Sequence, residues 1–200
     1  DGYADVVWQD RNPASETSGT VAIWLLDHNA FVGAAFLETV VSDLDWGVVG
    51  TGDYNGDGKA DIVWRNYADS GEQMGYNAIW LLDGTDFLNQ QFINSVADTN
   101  WTIDQSGDFN GDGTGDLVWR NTVTGENAIW LMNGVDFLSA EFLPTMADLD
   151  WSIRGVGDFW GDGSIGLFWR NTESGENLIW LLDGTSVDEE LDTPSIPSEV

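Results

Sequence analysis

Two stretches of this chain set oxygen-bearing side chains at one fixed spacing. Asp53-Tyr54-Asn55-Gly56-Asp57-Gly58-Lys59-Ala60-Asp61 and Asp108-Phe109-Asn110-Gly111-Asp112-Gly113-Thr114-Gly115-Asp116 both read D-x-N-x-D-G-x-x-D. Asp53, Asn55, Asp57 and Asp61, and likewise Asp108, Asn110, Asp112 and Asp116, place hard oxygens at loop positions 1, 3, 5 and 9. Lys59 and Thr114 stand at position 7, where a backbone carbonyl suffices whatever the side chain. Glycines at positions 4 and 6 let the backbone curl as other residues do not. Ca²⁺ takes about six to eight such oxygens. No His or Cys lies beside either loop, which disfavours zinc and softer metals. An EF-hand would need a bidentate Glu at its twelfth position, where Trp64 and Trp119 stand. Asn-Gly and Asp-Gly also serve as plain hairpin turns, but two copies with every ligand position filled exceed what a turn requires. Structural Ca²⁺ in both loops is the expectation.

Two further loops are weak or incomplete versions. Asp158-Phe159-Trp160-Gly161-Asp162-Gly163-Ser164-Ile165-Gly166 keeps Asp158, Asp162 and the Ser164 carbonyl, but has Trp at position 3 and Gly at position 9. The N-terminal stretch retains Asp1, the Tyr3 carbonyl and Asp5 and would need ligands from outside the chain. Trp160 is a candidate cover for an apolar contact with a neighbour. No catalytic constellation emerges. A glycosidase needs a pair of carboxylates, yet most Asp residues here occupy equivalent repeat positions, which argues for structure. His28 has no repeat counterpart and no Ser or Cys partner nucleophile. Arg65, Arg120 and Arg170 recur in Trp-Arg-Asn and are read as carboxylate partners, with glycan or partner contact as the alternative.

The elements that must hold these loops repeat. Trp46, Trp101 and Trp151 open apolar segments, Trp64, Trp119 and Trp169 follow the loops, and Trp80, Trp130 and Trp180 come next. The second-to-third Trp interval is 16 residues for Trp8–Trp24 and Trp64–Trp80 but 11 for Trp119–Trp130 and Trp169–Trp180. That locates a five-residue insertion in the first two repeats, between Asn12 and Val21 and between Asn66 and Asn77. A period of about 50 residues means a propeller, solenoid or array. Each copy reads as short extended segments: Trp101–Gly107, then the loop, then Asp116–Arg120, then Ala128–Met132, and a fourth at Phe142–Met146 whose Pro144 suits an edge. Helix has no support beyond a turn near Phe87 or Phe137. Apolar runs of four to six residues without polar alternation imply strands buried on both faces. The fold class is therefore all-β, a β-propeller-like array of about four four-stranded blades whose first blade lacks a strand. The repeat domain spans 1–185 (repeats about 1–56, 57–111, 112–161 and 162–185), followed by an acidic Pro/Ser-containing tail, 186–200. Most Trp residues are expected between blades, with sugar stacking the sharper alternative for some.

Thirty-five acidic residues against six basic ones give a net charge of -29, which disfavours nucleic acid and anionic membranes as partners. Disorder is excluded by 12 Trp and 9 Phe. There is no Cys, and no apolar run is long enough for membrane insertion. The chain opens inside the loop motif without a signal peptide, the expected mark of a processed product or a piece of something longer.

The Asp-Phe-Asn-Gly-Asp-Gly-x-x-Asp loop running into Leu-Val-Trp-Arg-Asn resembles the FG-GAP/VCBS-type repeats of integrin α-subunit propellers and of secreted microbial proteins. The resemblance covers the chain up to about Thr185. It implies a propeller with Ca²⁺ between the first two strands of each blade, an extracellular or cell-surface location, and adhesive, lectin-like or accessory roles without catalysis. Such propellers commonly have seven blades, whereas about four repeats are present here. The resulting expectation is a calcium-stabilised, self-associating structural or adhesive module. Its partners would be other copies of itself or surface proteins; the alternative is a lectin-like glycan binder or an accessory module of a larger secreted protein.

Overall fold

The computed structural model describes residues 5–28 and 30–194. Asp1 and Tyr3 of the N-terminal loop and residues 195–200 of the expected tail lie outside the described residues. The described residues form fifteen strands and no helix, arranged as four antiparallel sheets. The first sheet holds β1 (Val6–Gln9), β2 (Val21–Asp27) and β3 (Ala30–Phe36). The second holds β4 (Trp46–Gly52), β5 (Asp61–Asn66), β6 (Asn77–Asp83) and β7 (Asp86–Ile93). The third holds β8 (Trp101–Gly107), β9 (Asp116–Asn121), β10 (Asn127–Asn133) and β11 (Asp136–Leu143). The fourth holds β12 (Trp151–Gly157), β13 (Gly166–Asn171), β14 (Asn177–Asp183) and β15 (Ser186–Thr193). Strands follow chain order within each sheet, and β8 packs beside both β4 and β12. This is the blade arrangement of a β-propeller, with three strands in the first blade as the sequence implies.

The cores lie between blades. One unites Val21, Ile23 and Leu37 of the first blade with Ile62, Trp64, Trp80 and Leu82 of the second. A second joins Tyr54, Val63 and Ile79 to Leu117, Trp119 and Met132. A third joins Phe109, Val118 and Ile129 to Leu167, Trp169 and Trp180. Alternation along each strand therefore sends successive side chains into two different interfaces. That is why β5 and β9 are buried at every position. The same face of every blade, turned to the preceding blade in the second to fourth, carries a tilted Trp pair: Trp8–Trp24 at 4.8 Å, and Trp64–Trp80, Trp119–Trp130 and Trp169–Trp180 at 4.7 Å.

Three sequence expectations are corrected. The fourth strand of each blade starts earlier than Phe142–Met146. Asn133 pairs directly with Asp136, so the chain reverses at once after Asn133-Gly134, and β11 ends before Pro144, which cannot donate to a ladder. The segments around Phe87 and Phe137 are accordingly strands. Ser186–Thr193, read as tail, is β15 and pairs with β14. An outer strand tolerates Asp188, Glu189, Glu190 and Asp192 because one face and one edge meet water. The hydrogen bonds of Arg65 and Arg120 go to carbonyl oxygens and not to carboxylates, while Asp98 beside Arg65 and Asp104 and Asp148 beside Arg120 contribute charge alone. Arg65 donates to the Gly75, Val96 and Asp98 carbonyls and to Asn77 Oδ1 at 2.9–3.2 Å, and stacks 4.8 Å from the Trp119 ring. Arg120 repeats the pattern with Gly125, Asn127, Met146 and Asp148, and stacks over Trp169 at 5.1 Å. A planar fork serves these scattered carbonyls, and its face binds the next blade's indole. His28 adopts φ 58°, the turn position held by Gly84, Gly134 and Gly184 in the other blades.

Replacing Arg65 by Met should therefore leave buried carbonyls unpaired and lower stability by about 3 kcal/mol. Arg65→Lys should recover less than half of that loss. Urea unfolding of both variants checks this; a Lys variant as stable as wild type would reject the fork-and-stack account.

Candidate metal centre

Each acidic loop connects the first and second strands of its blade and begins with a carboxylate that collects loop amides. Asp53 Oδ1 accepts from Gly56 N at 2.7 Å, with longer bonds from Asn55 N and Asp57 N, and Oδ2 accepts from Gly58 N at 2.7 Å. Asp108 does the same with Gly111, Asp112 and Gly113. Asn55 and Asn110 each accept from the position-5 amide at 2.9 Å, and Asp57 and Asp112 accept from the position-7 amide. The curl needs left-handed backbone at positions 4 and 6. Gly56 and Gly58 have φ 75° and 82°, and Gly111 and Gly113 have 72° and 90°. The departing loop is bent identically, with φ 76° at Gly161 and 93° at Gly163. Asp158 still binds the amides of Gly161 and Gly163, and these amide bonds, Gly163 first, hold its carboxyl below the usual range.

Position 9 does something the spacing alone did not disclose. Asp61 is fully buried; its Oδ2 accepts from Tyr54 N and its Oδ1 from Leu82 N, both at 2.8 Å. Asp116 binds Phe109 N and Met132 N in the same way. One carboxylate thus fastens the loop to the third strand of its blade. The loops are also chained. Gly115 N donates to the Asp53 carbonyl at 2.8 Å, and the Tyr54 ring lies so close that a Cβ on Gly115 would stand 2.9 Å from it. In the fourth blade a Cβ on Gly166 would meet the Trp180 carbonyl at 2.7 Å and the Phe159 ring at 3.0 Å. A side chain at this position, where blades two and three keep their aspartate, would need those neighbours to shift.

Burial pushes the Asp116 carboxyl up to about 6; its two amide bonds oppose the rise, and Asp112 and Asp108 add to it. Asp61 is raised for the same reasons. Lys59 reaches out of its loop to Asp83 on the surface. Among the described residues, no three His, Cys, Asp or Glu side chains stand together as a ligand cluster. Here the carboxylates are turned onto backbone amides. Each oxygen still has acceptor capacity beyond these bonds, and the donors at positions 1, 3, 5, 7 and 9 are hard oxygens on an exposed loop beside a buried like-charged group. This donor set fits Ca²⁺.

The geometry defines a β-propeller with acidic loops at one end of its blades, and the FG-GAP repeat family matches this chain at residues 46–82 and 100–132. Each matched segment spans the first three strands of a blade with its acidic loop. Among solved structures, a chain of the crystal structure of a nidogen/laminin complex aligns with a TM-score of 0.55 at 14% identity. The alignment covers 88% of this chain but only 59% of that one. A Bacteroides caccae protein of unknown function aligns at TM-score 0.42 and 12% identity, covering 90% of this chain and 54% of that one. The Photorhabdus luminescens Tc holotoxin pore aligns at 0.44 and 14%, covering 98% and 11%. No curated protein sequence matches.

A carboxyl raised in the folded state binds its proton more tightly there than in the unfolded chain. Asp116 therefore favours folding below its unfolded pKa, and that contribution is lost as pH rises toward about 6. In chelator, the thermal midpoint should fall as pH is raised from 4 to 6.5, and Asp116→Ala should flatten that dependence while lowering the midpoint throughout. An unchanged pH slope in the variant would remove Asp116 as its source.

Proposed function

We propose that this chain is an extracellular, non-catalytic interaction module, braced by calcium and self-associating through its blade faces. The observation that carries the reading is the Trp8–Trp24–Phe31 face of the first blade. Its counterpart in the second blade has Trp64 and Trp80 buried against the first blade, with Phe87 37% exposed beside them, but here the three rings are 50%, 42% and 59% exposed. At the other end, Phe159 and Trp160 are exposed, whereas Tyr54 and Phe109 at the Phe159 position are buried against the following blade. Exposed apolar patches of this kind mark interaction sites. Head-to-tail contact between copies would repeat the interior packing, giving a heterologous association. The nidogen/laminin complex contains a comparable propeller fold, which supports protein binding as the class of activity. The equivalent placement of the acidic residues in successive blades supports a non-catalytic role. No helix among the described residues is long and apolar enough to cross a membrane.

Calcium would be held by Asp53, Asn55, Asp57, the Lys59 carbonyl and Asp61, and by Asp108, Asn110, Asp112, the Thr114 carbonyl and Asp116. The Asp158, Asp162 and Ser164 loop, lacking positions 3 and 9, would bind weakly. The ion supplies the positive charge that relieves repulsion around Asp61 and Asp116. Because Asp61 and Asp116 also fasten the third strand, and Gly115 bonds the Asp53 loop, this neutralisation stabilises blade and interface together. Binding only to the folded state adds about 2.7 kcal/mol per site at a hundredfold excess over Kd.

Asp112→Ala should lower the thermal midpoint in millimolar Ca²⁺ and change it little in chelator; an equal loss in both rejects calcium at that loop. In sedimentation velocity, wild type should form concentration-dependent oligomers that Trp24→Asp disperses with its circular dichroism intact. A wild-type monomer at every concentration would reject self-association.

A further inference from the structure

The first strands of blades two, three and four share one irregularity. Val49 stands unpaired between Val48, opposite Trp64, and Gly50, opposite Val63. Asp104 stands in the same way between Ile103 and Gln105, and Arg154 between Ile153 and Gly155. Each is the extra residue of a β-bulge, a device that re-aims one side chain. The bulge is common to the three blades, but its residue changes from an aliphatic group to a carboxylate to a guanidinium. Because β8 packs beside both β4 and β12, the three bulges line a single cavity of about 570 Å³. That volume lies within the roughly 300–1,000 Å³ of small-molecule sites.

The cavity holds opposite charges that are not joined. Asp104 Oδ1 accepts from Thr102 Oγ1 at 2.6 Å, and Oδ2 takes no hydrogen bond from the described residues. Arg154 on the next blade is exposed, and among the described residues no ion pair links it to Asp104. The two still sense each other. Burial raises the Asp104 carboxyl, while the Thr102 bond and then the charges of Arg120 and Arg154 hold that rise back. Arg120 gives its own hydrogen bonds to carbonyl oxygens, so it leaves the open carboxylate oxygen to the cavity. Tyr67 walls another side, its ring 5.5 Å from the Arg65 guanidinium. It occupies the register of Thr122 in the third blade, since their amides donate to the equivalent carbonyls of Asp45 and Asn100. Val48, Val49, Ile103 and Ile153 make the rest of the lining largely apolar.

We infer that this cavity is a binding site for the zwitterion of a free α-amino acid with an apolar side chain. The ligand's ammonium group donates to the open oxygen of Asp104. Its carboxylate accepts from Arg154, whose planar fork matches a carboxylate in a bidentate manner. The aliphatic lining takes the side chain. Charge selects this class of ligand. A simple anion meets Asp104 and the field of a chain at -29. A simple cation meets Arg154 and finds only one carboxylate in the lining. A dipolar ligand answers both groups and adds no net charge. The cavity shares no residue with the aromatic face of the first blade, so this binding goes beyond self-association and does not depend on it.

The test is isothermal titration calorimetry of the whole chain in millimolar Ca²⁺ with leucine, valine and phenylalanine as free amino acids. One saturable site is expected for at least one of them. N-acetyl-leucine lacks the ammonium group and leucinamide lacks the carboxylate. Each should bind about tenfold more weakly than leucine or worse, the effect of losing one charge-assisted bond. Arg154→Gln, an exposed change, should cost a similar factor, and so should Asp104→Asn. The analogues need no variant, so they decide the matter whether or not Asp104→Asn folds. Absence of saturable binding by all three amino acids overturns the inference. So does equal affinity for leucine and N-acetyl-leucine, or wild-type affinity in Arg154→Gln.

Discussion

The buried carboxylate at loop position 9 is the interaction on which the rest depends. Asp61 and Asp116 each accept two amide hydrogen bonds at 2.8 Å, one from the loop and one from the third strand. Charge-assisted bonds of this kind contribute about 1.5–3 kcal/mol each, against several kcal/mol for taking a carboxylate out of water. The balance is close, and burial first, with the neighbouring aspartates adding to it, tilts it the wrong way, as the raised Asp116 carboxyl shows. A cation on the loop would turn that deficit into a gain. A plain acidic turn would place no carboxylate against the third strand, so the motif is more than a loop attached to a blade.

A second constraint follows from blades that keep no core of their own. Each sheet is one half of two interfaces, and a fully buried aromatic of about 150–250 Å² contributes roughly 4–6 kcal/mol at 25 cal/mol/Å² only when a neighbour covers it. Arg65 and Arg120 strengthen the same seams by tying the chain after their own blade to the indole of the next. Stability is therefore shared along the array, as in other repeat proteins. An uncovered Trp pair on the first blade is a large unmet interface of a kind already present three times within the molecule.

Much of this was legible from spacing. The first-strand segments Trp46–Gly52, Trp101–Gly107 and Trp151–Gly157 coincide with β4, β8 and β12, because an apolar run between a turn and a Gly-rich loop has one extended solution. The outer strands were misplaced because they lack that signal. β15 carries four acidic residues and is held by pairing and by half-buried Val187 and Leu191, so composition made it look like a tail. The arginine reading failed for a related reason: in a chain this acidic, a carboxylate partner is the obvious expectation. The sites that accept the guanidinium are backbone carbonyls made available by turns, which no residue-type pattern displays. The position-9 carboxylate was recognised as a ligand position, but its bond to the third strand is a tertiary fact, visible only once Leu82 and Met132 are folded over the loop.

The departures from the repeat carry different information from the repeat itself. Positions that recur, such as the Trp pairs, the Arg forks and the curled glycines, are fixed by packing shared between neighbours. Gly166, Asp104, Arg154 and Tyr67 break the pattern where a loop or a cavity wall is set for one blade alone. The net charge then limits how these surfaces can work. Two copies at -29 repel each other, and salt screens that repulsion beyond about 8–10 Å without removing it. Association between copies, as proposed, would therefore draw its free energy from apolar contact, and the exposed aromatics of the first blade, Trp8, Trp24 and Phe31, offer such a face.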